Sequence, residues 1–151
     1  MFYSKLIVIF LLALTSACTL TAVVENQSSA NKNQTDAKLR LNDIWALESI
    51  QGEKLVLADG DRRPQLEIQL RDMRLMGNDG CNRLFASINY LDDEKITFGP
   101  IGGTRMFCHP MALPDNFNQQ LNQVSGYALK NLILSFFDAE GKELLKFRKI
   151  D

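Results

Sequence analysis

From Ile44 onward, apolar and polar residues alternate in short runs separated by turn-forming residues, a spacing of about eight to twelve positions that suits a β-sandwich or barrel. Leu66, Ile68 and Leu70 alternate with Gln65, Glu67, Gln69 and Arg71. Leu84, Ala86, Ile88 and Tyr90 do so against Arg83, Ser87 and Asn89, and Ile96 and Phe98 against Lys95 and Thr97. Because successive strand side chains point to opposite faces, each run predicts a strand with one buried and one solvated face. A further strand is predicted over Ile44, Trp45, Ala46 and Leu47, with Trp45 as a core anchor. Near the end, Leu132, Leu134 and Phe136 form one apolar face and Leu145 with Phe147 another. Asp138, Ala139, Glu140 and Gly141 lie between them, and the glycine suits a left-handed turn position, so a terminal hairpin is predicted.

One segment has helical rather than strand period. Phe117, Leu121 and Val124 are spaced for one helical face, Pro114 fits an opening turn, and Gly126 offers a stop. The expected class is therefore mainly β (α+β), a small antiparallel β domain with one short helix.

The first residues follow another logic. A short start containing Lys5 leads into an uncharged apolar run over residues 6–14, then Thr15, Ser16, Ala17 and Cys18. This is the order of a secretory signal, and the run falls short of the ~20 apolar residues a spanning helix needs. Small residues just before a cysteine resemble a lipobox, with Thr15 where Leu is commoner. The resemblance implies a signal peptide over 1–17, cleavage before Cys18 and a lipid on that cysteine. Three acyl chains would make the anchor effectively permanent, since each buried methylene contributes about 0.8 kcal/mol. Thr19, rather than Asp, next to the cysteine resembles the outer-membrane sorting pattern of Gram-negative lipoproteins. The expected location is the outer membrane, facing the periplasm. Residues 18–41, rich in Asn, Gln, Ser, Thr and Lys, read as a flexible tether with too little apolar surface to fold. A single domain is expected over 42–151.

Charge narrows the function classes. The chain has 17 basic and 18 acidic residues, a net charge of -1. The pairs Arg62–Arg63 and Arg148–Lys149 have acids nearby, so no basic stripe for a nucleic-acid backbone is present. Lipidation of Cys18 leaves Cys81 and Cys108, which in an oxidising compartment form a natural disulfide pair; two free buried thiols are the alternative. His109 beside Cys108 suggests a thiol–imidazole dyad, but neighbouring residues rarely aim side chains at each other. His, Cys and carboxylate supply is short of a zinc site. Asp92, Asp93 and Glu94 could cradle calcium, though between two strands such a cluster is more often a turn. The glycines at 77, 80, 99, 102 and 103 lack the Gly-Lys-Ser/Thr of a phosphate loop. No catalytic set, cofactor or metal is expected.

Gly77, Asn78, Asp79, Gly80, Cys81, Asn82 and Arg83, then Thr104, Arg105, Met106, Phe107 and Cys108, then Phe117 and Leu121, together resemble the central signature of the META domain family. The likeness runs from Trp45 and Leu47 to Leu144, Leu145, Lys146 and Phe147. Phe107 departs from the small residue commoner at its position, and Asp115–Asn116 from the usual acid before the helical Phe. The resemblance implies a barrel-like domain with one helix, in secreted or membrane-anchored bacterial proteins that include the HslJ group. It also implies association with envelope stress, drug tolerance and motility, and no defined reaction.

The resulting expectation is a non-enzymatic envelope lipoprotein that binds a protein or envelope component. Asn82, Arg83, Thr104 and Arg105 form a candidate patch, whose groups could equally satisfy buried backbone atoms. A lipocalin-like carrier is the first alternative, against which interior filling by Phe85, Phe98, Phe136 and Phe147 would count. A periplasmic enzyme inhibitor presenting a loop from residues 99–114 is the second, and a hydrolase ranks last. Metabolic labelling with palmitate is expected to mark the wild-type chain and leave Cys18→Ala unmarked; equal label on both would refute the anchor.

Overall fold

The structure, a computed structural model, describes residues 39–150. Cys18, the signal segment and nearly all of the tether lie outside the described residues. The strands are β1 (Ile44–Ile50), β2 (Glu53–Lys54), β3 (Gln65–Gln69), β4 (Arg74–Asn78), β5 (Arg83–Leu91), β6 (Ile96–Phe98) and β7 (Gly102–Gly103). After these come the helix α1 (Ala112–Leu121) and strands β8 (Gly126–Lys130), β9 (Ile133–Phe137) and β10 (Glu143–Ile150).

The sheet runs β6-β5-β4-β3-β1-β10-β9-β8, with β2 beside β1 and β7 beside β5. Neighbouring strands are antiparallel. Its ends nearly meet. Lys95 bridges to Gly126, the Tyr127 amide donates to Glu94 O at 2.7 Å, and the Tyr127 hydroxyl donates to Asp92 O at 2.8 Å. The result is a nearly closed barrel, which hides most strand edges.

Side-chain alternation fills its interior. Trp45, Leu47, Leu66, Ile68, Leu134, Phe136, Leu145 and Phe147 are each at most 1% exposed. The Trp45 indole donates to Leu41 O at 3.0 Å, satisfying its polar atom. Phe98, Phe136, Phe147 and Phe117 meet edge to face in sequence, with centroids 5.7, 5.6 and 6.2 Å apart. This chain of rings runs from β6 through the core to α1, each contact adding about 0.5–1.5 kcal/mol beyond burial. Leu41, read from sequence as the end of the tether, is fully buried against this core.

Several expectations shift for local reasons. Phe85 is 60% exposed; with Leu84 and Ala86 turned inward, the alternation of β5 sends it outward. Tyr90 does not continue the buried face. A bulge between Ile88 and Tyr90 adds a residue and reverses the alternation, leaving Tyr90 exposed with its hydroxyl on Asp92 Oδ2. Leu132 sits in the two-residue turn after Lys130, opposite Ile133, and is exposed. Leu70 lies just past β3 and is partly buried. Gly126 does not stop the helix, which ends at Leu121. It opens β8, where a side chain would come within 3.3 Å of Glu94 O at the closing seam. Pro114 lies in the first turn of α1, where its missing N–H leaves no bond unmade. The β9–β10 hairpin forms as expected, with Gly141 at φ 83° and Asp138 Oδ1 accepting from the Glu140 and Lys142 amides.

Burial beside Asp93 and Asp92 pushes the Tyr127 hydroxyl up to about 12, above the ordinary value near 10. A raised folded value means that this contribution to stability is complete below pH ~10 and is lost as pH rises towards ~12. Urea midpoints are expected to fall across that window, with a smaller fall in Tyr127→Phe; identical profiles would contradict the assignment.

Candidate functional site

The sequence from Gly77 to Arg83 folds as a tight connection between β4 and β5, closed by the Asn78–Arg83 pair. A side chain at Gly77 would meet Gln65 O of β3 at 2.2 Å, and Gly80 has φ +99°; both positions require glycine. Asn78 Oδ1 accepts from the Gly80 amide at 3.1 Å. Asp79 is 1% exposed. Its Oδ1 accepts from the Cys81 and Asn82 amides at 2.8 and 2.5 Å, and its Oδ2 from Asn118 Nδ2 at 2.7 Å. Three donors thus compensate one buried carboxylate and tie the turn to α1.

This turn holds a second segment. Gly102 and Gly103 lie along Phe85 and Leu84, close enough that a side chain at Gly102 would strike the Phe85 ring at 2.5 Å. Thr104 follows beside Arg83: its amide donates to Arg83 O at 3.1 Å, and its hydroxyl accepts from the Arg83 amide at 3.1 Å. That hydroxyl donates to Asn82 Oδ1 at 3.0 Å. Asn82 Oδ1 also accepts from the Met106 amide at 2.6 Å, and Asn82 Nδ2 donates to Met106 O at 3.4 Å. The sulfurs of Cys81 and Cys108 lie at disulfide distance, 2.10 Å, with Cα atoms 5.9 Å apart. Closing a loop of this length stabilises the fold by about 3.6 kcal/mol in the chain-entropy picture.

Asn82, Arg83 and Thr104 therefore converge, but their roles divide. The Asn82 carboxamide is spent on the Met106 peptide. The Arg83 and Arg105 guanidinium groups are exposed, with no carboxylate partner among the described residues. Sequence reasoning named Asp79 only as part of the family signature and did not name Asn118; the two orient the turn. Met106 and Phe107, 60% and 84% exposed, were named in the signature and fall in the 99–114 loop, but were not assigned to the candidate patch. The signal for Phe107 was its departure from a small residue. Met76 and Phe85 face each other across β4 and β5 on the outer surface, both exposed, with Arg74 and Arg83 along the same strands.

Two clefts flank the pinned segment. One, about 480 Å³, has Asp79, Asn82, Phe85, Thr104, Arg105 and Asn118 in its wall. The other, about 400 Å³, has Arg62, Cys81, Arg83, Met106, Cys108 and His109. A larger cleft of about 670 Å³ lies elsewhere, where Lys54, Arg63, Lys146 and Arg148 gather around Glu48. There Arg148 pairs with Glu48, Lys146 with Glu143 at 3.1 Å, and Arg63 donates to Leu47 O.

Other sequence candidates resolve locally. Cys108, once bonded, has no thiol to offer His109. The Asp92 carboxylate accepts from the Glu94 and Lys95 amides and the Tyr90 hydroxyl, and these bonds hold its pKa below the usual value. It caps a turn, and among the described residues no group of three His, Cys, Asp or Glu side chains is arranged to hold a metal.

Comparison with known proteins gives a family and a fold. The META domain family model matches residues 33–151. An NMR structure of a protein is 23% identical, covering 72% of this chain and 90% of its own, with a TM-score of 0.55. An NMR structure of a protein from Burkholderia xenovorans is 21% identical, covering 77% of this chain and 87% of its own, with a TM-score of 0.56. At these identities the likeness is one of fold. No curated protein matches the chain.

Asn82→Ala removes both acceptor and donor from the Met106 peptide and is expected to cost about 2 kcal/mol. Arg83→Ala is expected to stay within about 0.5 kcal/mol. Urea unfolding measures both, and equal losses would contradict the division of roles.

Proposed function

The chain belongs to the META domain family, and from that premise we propose that it is a non-enzymatic, lipid-anchored envelope protein. In this reading it supports envelope stress resistance or drug tolerance by binding a protein or envelope component. The observation that carries the reading is Phe107, 84% exposed at the tip of a segment that a disulfide and an asparagine carboxamide hold still. A large aromatic side chain in water forgoes about 1.5–3 kcal/mol of burial, which a partner surface recovers. Its chain neighbours Met106, 60% exposed, and Arg105, also exposed, add the apolar and guanidinium character common at interfaces. Rigidity lowers the ordering cost of association. The lipid on Cys18 would confine the domain to a membrane surface and raise its local concentration against partners there.

The carrier alternative loses its motivation, since Trp45, Phe136 and Phe147 occupy the barrel interior. Phe85, named from sequence among the filling residues, is not one of them. The inhibitor alternative gains from the pinned segment. A photocrosslinker at position 107, in the anchored chain in its own envelope, is expected to give a discrete adduct. The same group at exposed Val56 should give none, and Cys18→Ala should weaken the adduct at 107. Matching adducts from positions 107 and 56 would overturn the proposal.

A further inference from the structure

We infer that the segment 104–108 is a substrate-like loop that enters the active-site cleft of an endopeptidase and is retained there, with the Phe107–Cys108 peptide bond at the reacting position. The inference rests on the binding role proposed for this surface and names its partner class.

The backbone supplies the first support. The Thr104 amide and the Met106 amide and carbonyl turn inward, to Arg83 O and to the Asn82 carboxamide. The N–H and C=O groups of Arg105 and Phe107 have no hydrogen-bond partner among the described residues. A segment paired on one side and open on the other can pair with the strand edge of a peptidase cleft, the way peptidases bind substrate. Residues 104–107 carry no regular secondary structure and are exposed, so the open side is accessible.

The side chains supply the second. Phe107 projects furthest, at 84% exposure, against 60% for Met106. An aromatic-lined or apolar specificity pocket would take it, and burying it recovers the free energy its exposure forgoes. The partner class is therefore a peptidase that cuts after large aromatic residues.

The third support separates a retained loop from an ordinary substrate. Both sides of the Phe107–Cys108 bond are fixed to two consecutive residues of the scaffold. Met106, just before Phe107, is held by Asn82, and Cys108 is joined to Cys81. The buried Asp79 carboxylate fixes both anchors by accepting their amides. Attack by the peptidase nucleophile on the Phe107 carbonyl carbon forms an acyl-enzyme and breaks the bond to the Cys108 nitrogen, which leaves as an amine with one added proton. In a flexible substrate that amine diffuses away and water takes its place. Here it stays against the acyl group at an effective concentration of about millimolar or more. It attacks the same carbon, gives up the proton, expels the nucleophile and restores the peptide bond. The balanced outcome is no net reaction and an occupied peptidase.

Chymotrypsin is a suitable probe, because it uses an acyl-enzyme and prefers aromatic residues. The mature chain in detergent, disulfide intact, is expected to inhibit hydrolysis of a small aromatic amide competitively. Mass spectrometry should show the 107–108 bond cut slowly and incompletely, both parts still joined. Phe107→Ala should weaken inhibition at least about a hundredfold, as removal of a central aromatic anchor does. The double variant Cys81→Ser, Cys108→Ser should be cut to completion at that bond without inhibiting. Should that variant fail to fold, Asn82→Ala, with its disulfide kept, is expected to lose at least about tenfold of the inhibition. Absence of inhibition by the wild-type chain up to about millimolar, or cutting to completion at one rate in wild type and variants, would overturn the inference. A discrete adduct from position 107 in the envelope alongside such a result would leave the binding surface standing and remove only the peptidase.

Discussion

A single carboxamide, that of Asn82, decides how the exposed segment around Phe107 is presented. Its oxygen and nitrogen both engage the Met106 peptide, while its neighbour Cys81 is joined to Cys108. Two adjacent residues of one strand connection thus control the chain on both sides of Phe107. They can do so because Asp79 beneath them is buried with all its donors supplied from the turn and from α1. A buried carboxylate is tolerable only when so satisfied, so the turn geometry, the helix position and the exposed loop are mutually dependent. Loss of one partner would release the others.

The barrel makes this clamp possible by being solid. Near closure through Lys95, Gly126 and Tyr127 leaves few strand edges open, and the ring contacts from Phe98 to Phe117 consume the interior. Among the described residues, Trp45, Phe136 and Phe147 occupy the barrel interior. The surface features that stand out are the apolar pair Met76–Phe85, the pinned loop, and the cationic cleft around Lys54 and Arg148. Of these, the loop presents the more exposed aromatic, Phe107 against Phe85, and does so from a segment tied at two points, which lowers the entropic cost of association.

Much of this was legible in the sequence because burial imposes period. The alternations at Leu66–Ile68 and Leu84–Ile88, the helical spacing of Phe117 and Leu121, and the Gly141 turn each report a local rule directly. Tyr90 escaped because one inserted residue at a bulge inverts every later position, and a bulge leaves no mark in composition. Phe85 was readable from its own strand, since its neighbours on both sides point inward. Leu41 escaped because its burial against the barrel core is a tertiary contact that the polar residues before it do not announce. At the candidate site the motif around Cys81 and Cys108 marked the residues that the fold brings together, but not their individual contacts. Asp79 and Asn82 have the same residue types as any polar turn, and only their burial shows that they organise the loop.

Amide hydrogen exchange in the oxidised chain tests the clamp most directly. The Met106 amide is expected to be protected, with those of Arg105 and Phe107 exchanging at near-unprotected rates, and Met106 should lose its protection in Asn82→Ala. Equal, rapid exchange at all three amides of the wild-type chain would show that the loop is not held by Asn82 and would contradict the account.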